Sequence, residues 1–310
     1  MHNGEVTNYM AIIQFRVRRA CERIIGPNLT AYVLHLRPLE WPIMTAHFLL
    51  GVILATGIEM NLRSTILGWL TFVILLNGGT LAINSVFDQD KGDIGYLRQP
   101  PNPPKYLLHT SIVMLIASLI IGFQLPSLFA WCNTICIVMS ILYSVPPFRL
   151  KARAGWDLLI NCLGFGLLTP LAGWGLAGKP MATTIICVTL GFALLFGTLY
   201  PLTQLYQIEE DRNRGDNTLI IVLGEAISLT LATALAITAH LLFSWVAVRC
   251  GRSALPIIVS LTFWLMVLFP WLARWRQWTV AQSESGMYRA LVAWAVTDIA
   301  VLITFWPTKC

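Results

Sequence analysis

Oxygen-bearing side chains gather in two short stretches, each at the end of a long apolar segment. The seven that could bind a cation are Asn84, Asp88, Asp90, Asp93, Gln207, Glu210 and Asp211. Acidic groups are costly beside hydrocarbon, so two such clusters need a functional reason. Residues four positions apart share a helix face, which aligns Asn84 with Asp88, and Gln207 with Asp211. Mg²⁺ binds one or two carboxylates together with substrate phosphates. The two stretches therefore predict a magnesium site that holds a diphosphate.

Basic side chains lie near both stretches in the chain. Four of them are expected to bind the diphosphate: Arg98, Lys105, Arg149 and Lys151. The first two flank a stiff proline-rich connector at 100–104, and the other two follow the helix-stopping pair Pro146-Pro147. Guanidinium groups bind phosphate in bidentate fashion. The same four residues would also suit positively charged anchors at a membrane surface.

The composition is that of a membrane protein, since 56% of the 310 residues are hydrophobic and only 12% are charged. A helix needs about 20 apolar residues to span a bilayer. Nine runs approach this length: Leu39–Ile58, Ile66–Phe87, Leu107–Gln124, Leu128–Val145, Leu158–Leu176, Thr183–Leu205, Leu219–Val246, Leu255–Leu272 and Leu291–Trp306. We therefore predict an all-α polytopic membrane protein, with about nine transmembrane helices in residues 39–310.

Positive charges orient the predicted helices. When the N-terminus and every second loop are placed on one side, that side carries 16 of the 21 Lys and Arg residues. The positive-inside rule makes it the cytoplasmic side, and both acidic stretches fall there. The net charge of +6 then reflects topology and does not indicate a nucleic-acid partner. Residues 1–38 form a basic N-terminal segment, which suits either an interfacial helix or a frayed tail.

A diphosphate held at the mouth of an apolar chamber points to a prenyl diphosphate as the substrate. Loss of diphosphate from an allylic chain leaves a carbocation, which aromatic faces stabilise. Candidates by position are Tyr143, Phe165, Tyr200 and Tyr206. A bilayer enclosure would admit the lipid and exclude the water that quenches such a cation.

The first acidic stretch resembles a motif of the UbiA superfamily of intramembrane prenyltransferases. That motif, Asn-Asp-x-x-Asp-x-x-x-Asp, is matched by Asn84 and Asp88. Ser85 stands at its second position, Gly92 at its last, and Asp93 follows one place late. The resemblance implies nine helices around a central cavity, with magnesium diphosphate held by two Asp-rich motifs on cytoplasmic loops.

Two further motifs follow in the family's order, so that the resemblance covers most of the chain. The run from Tyr143 to Lys151 resembles the family's diphosphate-contacting loop, and Asn161 falls at a polar position that follows it. The second acidic motif, Asp-x-x-x-Asp, is matched by Asp211, whereas Gln207 replaces its first Asp. These departures leave the number of metal ions open.

The favoured hypothesis is transfer of the prenyl group to a hydrophobic acceptor, with an aromatic acceptor preferred. The alternative is a terpene cyclase of the same superfamily, in which ring closure follows ionisation without an acceptor. A secondary transporter is disfavoured because its polar sites would lie near the bilayer midplane, whereas these acids lie at helix ends. His47 and Asp298 lie within apolar runs and are expected to form interhelical hydrogen bonds or to take part in a site.

Overall fold

The computed structural model describes residues 3–88, 97 and 99–306, with side chains from residue 15 onward. Within these residues every regular element is a helix. Seven helices are long and apolar enough to cross a membrane, and two shorter apolar helices bring the described set to nine. The prediction of an all-helical, multi-pass membrane fold is thereby confirmed.

The nine apolar helices follow one another with short connections. They are α2 (Trp41–Thr56), α3 (Leu62–Asp88), α4 (Leu107–Gly122), α5 (Ser127–Ser144), α6 (Trp156–Gly175), α7 (Thr183–Gln204), α10 (Glu225–Arg249), α11 (Leu255–Arg274) and α12 (Val280–Phe305). The additional helices are α1 (Asn3–His35), which precedes them, and the short α8 (Ile208–Arg214) and α9 (Leu219–Leu223) between α7 and α10.

Two of the predicted runs differ most from the helices in the structure. Gly224, with a φ of 78°, breaks the run predicted from Leu219 to Val246, so that α9 ends there and α10 begins. The last helix begins at Val280, well before the predicted Leu291, because Thr279 and Gln282 form a capping box at its start. Its first turns are polar and were therefore missed by a search for apolar runs.

Six helices surround a central cavity, each in contact with the next. Around the ring the order is α2, α3, α5, α6, α7 and α12, which returns to α2. The other three apolar helices pack outside this ring, α4 against α3 and α5, and α10 and α11 against α7 and α12. Asn84 and Asp88 at the end of α3 and the second acidic stretch after α7 are thus brought to the same mouth.

Below the cavity, α2 and α6 cross with their backbones in direct contact. A Cβ on Gly51 would stand 1.8 Å from the carbonyl oxygen of Pro170, and one on Gly173 would stand 2.1 Å from that of Phe48. Small residues permit such close approach between membrane helices. This crossing fixes α6, which carries several of the cavity side chains.

Both α3 and α6 contain a stretch of π-helix, Leu70–Asn77 and Cys162–Leu168. Such wider turns rotate the residues that follow and are frequent at functional sites. Asn77 and Phe165 lie within these stretches and line the cavity.

The N-terminal segment is helical, with a kink at Gly26. Arg18 donates to the carbonyl oxygen of Gln99 at 3.0 Å, and the His35 ring is 3.1 Å from that of Pro101. The helix α1 is therefore held against the proline-rich connector, and its placement at the membrane surface stays a prediction.

Candidate active site

The cavity has a volume of about 410 Å³, with polar side chains at its mouth and apolar ones below. It brings together most of the residues that the sequence singled out: Asn84, Asp88, Tyr143, Lys151, Asn161, Phe165, Tyr200, Tyr206, Gln207, Glu210 and Asp211. Asp88 and Asp211 lie far apart in the chain and line the same chamber. Lys105 is exposed beside the ring of Tyr106 and does not line it. Asp90, Asp93 and Arg98 lie outside the described residues.

The first acidic stretch is held by a lysine from the loop after α5. The Lys151 ammonium donates to Asn84 Oδ1 at 2.6 Å and also contacts the carboxylate of Asp88. The Ser144 hydroxyl donates to the same Asn84 oxygen at 3.2 Å. Lys151 is only 8% exposed, so the pair formed with Asp88 is shielded from bulk water.

Arginines connect the first acidic stretch to the second. Arg149 lies 3.5 Å from Asp88 and 3.0 Å from Asp216, although it does not itself line the cavity. Arg214 contacts Asp211, lies 3.1 Å from Asp216 and lies 3.7 Å from Glu210. A network of opposite charges therefore runs along one side of the mouth.

Backbone contacts fix the loops that carry this network. The amide of Asn217 donates to the carbonyl oxygen of Ala152 at 3.0 Å, and Arg153 and Asn217 form a short β-bridge. Gly215, with a φ of 75°, ends α8 and turns the chain toward this contact. The basic loop and the second acidic stretch thus form one unit, here called the acidic wall: Asn84, Asp88, Arg149, Lys151, Asp211, Arg214 and Asp216.

A polar chain descends from the acidic wall into the cavity. Asp157 is fully buried and accepts from the amide of Leu219 at 2.9 Å and from Gln204 at 3.3 Å. Gln204 also donates to the Tyr200 hydroxyl at 3.2 Å, which lies 3.0 Å from that of Tyr143. The two phenols therefore mark the boundary between the polar mouth and the apolar chamber.

The side of the mouth near α2 and α12 carries a different set of groups, here called the Arg37 wall: Arg37, Glu40 and Tyr206, which line the cavity, and Glu284 and Tyr288, which act electrostatically on Tyr206. Arg37 and Glu40 lie between α1 and α2, 3.5 Å apart, and both line the cavity. Burial raises the pKa of Glu40, and the nearby Arg37 opposes this. Burial also raises the pKa of Tyr206, with Tyr288 and Glu284 acting in the same direction.

At the bottom of the cavity, side chains from α2, α7 and α12 form an aromatic layer around one polar pair. His47 Nδ1 lies 3.3 Å from Asp298 Oδ1, which joins α2 to α12 as the interhelical hydrogen bond expected of both residues. The His47 ring stacks on Phe165 at 5.2 Å and meets Phe192 and Trp294 edge-on. Since Phe165 lines the cavity and His47 does not, this stack closes the chamber from below.

The oxygen donors of the acidic wall fit a magnesium ion that arrives with a diphosphate. Among the described residues no three His, Cys, Asp or Glu side chains converge on one metal-sized site. Asn84, Asp88 and Asp211 nevertheless supply one amide and two carboxylate oxygens around one chamber. Mg²⁺ needs little more from the protein, because phosphates and water complete its octahedron.

Some members of the site were not among the predicted residues. Arg37, Asp157, Gln204, Arg214 and Asp216 lie on the cavity or in its polar network. Arg214 carried a usable signal, since it stands three positions after Asp211 in a helix. For Arg37 the only signal in the sequence was its place before a predicted span.

A lipid-sized chamber with a charged mouth, inside an all-helical membrane fold, suits an intramembrane enzyme that acts on a lipid substrate. A model of the UbiA prenyltransferase family matches residues 44–295. The chain belongs to this family and is a UbiA-type prenyltransferase. This confirms the resemblance inferred from the three motifs.

Individual relatives show how far the similarity extends. The chain is 27% identical over 248 residues to a digeranylgeranylglyceryl phosphate synthase of Natronomonas pharaonis, covering 74% of the chain and 83% of that protein. A UbiA homolog from Archaeoglobus fulgidus, bound to DMAPP and Mg²⁺, superimposes with a TM-score of 0.67 at 20% identity, covering 86% of the chain and 99% of the homolog. A second structure of such a homolog, bound to GPP and Mg²⁺, gives 0.67 at 19% identity, covering 89% and 99%.

Proposed function

We propose that the protein is a magnesium-dependent prenyltransferase that ionises a prenyl diphosphate and transfers the prenyl group to a hydrophobic acceptor. The observation that carries this proposal is the shared chamber of Asp88 and Asp211, with cations beside both carboxylates. Relatives of the same fold bind DMAPP or GPP with Mg²⁺, which supports the substrate class.

In this reaction the bond between C1 of the prenyl chain and its oxygen breaks, and the electron pair leaves with the diphosphate. The acceptor nucleophile then bonds to C1 and loses a proton, which the departing diphosphate can accept. Lys151 and Arg214, which line the cavity, would exchange their carboxylate partners for phosphate oxygens, with Arg214 in bidentate contact. Arg149 would hold Asp88 and Asp216 in place. Magnesium held by Asn84, Asp88 and Asp211 would neutralise the diphosphate and so make it a better leaving group.

The apolar chamber below the mouth suits the prenyl chain and the developing cation. The faces of Tyr143, Tyr200 and Phe165 are available to stabilise positive charge near C1 and along the chain. The hydrogen bond between the two phenols fixes their orientation. Enclosure by six helices keeps water from the cation.

We also propose that the mouth opens on the cytoplasmic side, which supplies water-soluble Mg²⁺ and diphosphate-bearing substrates. The excess of Lys and Arg on this side supports that orientation. Cysteine labelling of loops in intact cells would test it, and protection of the loop after α5 from a cytoplasmic reagent would contradict it.

Product analysis with the purified protein tests the proposed reaction. Farnesyl and geranylgeranyl diphosphate are supplied with Mg²⁺, with and without a lipid extract as acceptor source. Acceptor-dependent prenylated products are expected. Cyclic hydrocarbons or alcohols formed without acceptor would instead identify the terpene cyclase.

Matched variants connect the reaction to the site. Asp88→Ala and Asp211→Ala are expected to abolish turnover while the protein remains monodisperse in detergent. Glu59→Ala is the control, because Glu59 is exposed, follows α2 and lies away from the cavity. Normal turnover in either aspartate variant would remove the metal assignment.

A further inference from the structure

Arg37 is a buried, charged side chain with two unpartnered nitrogens, and it has no role in the proposed diphosphate site. Its residue is 8% exposed, and its side chain lines the cavity. The Nη1 nitrogen lies 3.5 Å from Glu40, but Nε and Nη2 are buried without a hydrogen-bond partner. A buried charge that is compensated only in part is costly, so the chain retains this group at the expense of stability.

The two unpartnered nitrogens form one edge of the guanidinium. Nε and Nη2 point their N–H bonds in the same direction, and this fork matches the two oxygens of a carboxylate or a phosphate. Glu40 occupies the opposite edge and so orients the group. The free edge is therefore suited to bidentate binding of an anion.

The backbone around Arg37 is also held in an unusual conformation. Its φ of 48° places a non-glycine residue in the left-handed region. The Trp41 indole donates to the Leu36 carbonyl at 3.0 Å, and the Glu40 amide donates to that of Arg37 at 2.9 Å. Arg149 of the acidic wall also has a positive φ, of 37°. Strained backbone of this kind occurs where a side chain must be aimed.

The position of Arg37 in the ring of helices argues against a role in binding the prenyl diphosphate. The acidic wall is built from α3, the loop after α5 and the region of α8, and it already contains Arg149, Lys151 and Arg214. Arg37 lies instead just before α2, and α2 contacts α12. With the diphosphate on the acidic wall, this side is left for the second substrate.

We propose that Arg37 binds an anionic group, a carboxylate or a phosphate, carried by the prenyl acceptor. This inference rests on the proposed transferase function and specifies its acceptor class. Salt-bridge contact through the free guanidinium edge would hold the acceptor opposite the diphosphate, with its nucleophile directed at C1.

Equilibrium binding of three probes to the protein in lipid nanodiscs tests this proposal: dodecyl phosphate, dodecanoate and dodecanol. The acidic wall is first occupied with Mg²⁺ and geranylgeranyl S-thiolodiphosphate, an unreactive analogue. The wild type is expected to bind at least one anionic probe roughly 10-fold or more tightly than dodecanol, as charged hydrogen bonds imply. Comparison of the two anions distinguishes a phosphate-bearing from a carboxylate-bearing acceptor.

Variants show which wall of the mouth is responsible for the preference for anionic probes over dodecanol. Arg37→Gln should remove it and leave binding of the analogue unchanged, whereas Arg37→Lys should keep part of it. Arg63→Gln is the matched control, since Arg63 is exposed at the start of α3, away from the cavity. The proposal would be overturned if the wild type bound dodecanol as tightly as the two anionic probes, or if it bound none of the three probes. It would also be overturned if Arg37→Gln kept the preference for the anionic probes, or if this variant no longer bound the thiolodiphosphate analogue.

Failure of the transferase proposal would look different. In that case the analogue would not bind to the wild type, and no prenyl diphosphate would be consumed. Probe binding measured without the analogue, in Arg37→Gln and Lys151→Gln, would still assign the anion to one wall. Loss of preference in Lys151→Gln alone would place the anion on the acidic wall and contradict the role of Arg37.

Discussion

The two sides of the cavity mouth each carry an arginine in a left-handed loop, but these arginines have different surroundings. Arg149 has a side chain 28% exposed and contacts two carboxylates, those of Asp88 and Asp216. Arg37 has a side chain 9% exposed, a single carboxylate at 3.5 Å and an edge without partners. Charges in the acidic wall are compensated before substrate binds, whereas the charge on Arg37 is compensated only in part.

This difference suggests how one mouth can receive two substrates in a defined arrangement. A compensated network holds its cations in place and exchanges carboxylates for phosphates when substrate and metal arrive together. An under-compensated guanidinium gains most from an anion that brings no metal. The predictions below separate the two walls by perturbing one at a time.

Removal of magnesium should have the largest effect, and it should act on the acidic wall alone. Chelation with EDTA is expected to lower prenyl diphosphate turnover by about 10³-fold, because metal neutralisation of the leaving group is worth several kcal/mol. Added Mg²⁺ should restore turnover. Dodecyl phosphate binding to Arg37 should not change, and full turnover in EDTA would contradict the metal assignment.

Replacement of Lys151 by Gln should come next in size. Loss of a preorganised cation at the leaving group is expected to lower turnover by roughly 10²–10³-fold, with little change in the anion preference. Lys179→Gln serves as the control, because Lys179 lies between α6 and α7 and is exposed. Equal turnover in the two lysine variants would show that Lys151 has no role in the reaction.

Thermal stability should distinguish the two arginines directly. Arg149→Gln leaves two carboxylates with one partner fewer and is expected to cost about 1–2 kcal/mol, discounted for the partial exposure of Arg149. Arg37→Gln removes a charge that is compensated only in part. The midpoint of thermal unfolding of this variant should therefore equal or exceed that of the wild type. Heat-induced aggregation of the ligand-free proteins, followed by size-exclusion chromatography, gives the comparison. A larger loss for Arg37→Gln would mean that Arg37 is a structural residue.

The pH dependence of anion binding should give the smallest effect. Burial raises the pKa of Glu40, so its protonated form is favoured in the fold, and its ionisation becomes a penalty as the pH rises above the ordinary Glu value of about 4.3. Ionised Glu40 also competes with the anionic probe for Arg37. The affinity for dodecyl phosphate should therefore fall severalfold as the pH rises from the ordinary Glu value through the raised pKa of Glu40. Tyr206 interacts electrostatically with Arg37 and Glu40, and also with Glu284 and Tyr288.

Two variants isolate Glu40 from its neighbours. Glu40→Gln should bind dodecyl phosphate more tightly at neutral pH and show a flatter profile than the wild type. Glu284→Gln should retain the wild-type slope. An unchanged profile in Glu40→Gln, or a flat one in Glu284→Gln, would assign the titration to another group.

Some features of the site could be predicted from the sequence and others could not. The pairing of Asn84 with Asp88 follows from their spacing, and the structure places both on the cavity. The salt bridge between Arg149 and Asp216 joins residues 67 positions apart and has no local pattern. His47 and Asp298 were each recognised as polar residues in apolar runs, but their contact spans 251 positions.

Local physics therefore determined the membrane class, the set of nine apolar helices and the gathering of acidic residues at one mouth. The lengths of the apolar runs, the helical periodicity and the distribution of Lys and Arg can be read directly from the sequence, without knowledge of how the helices pack. Only the tertiary structure decided which cations meet which carboxylates, where the aromatic floor closes, and that one edge of Arg37 has no partner. These depend on how six helices close into a ring, and that arrangement is set by contacts between residues too distant in sequence for any local pattern to record.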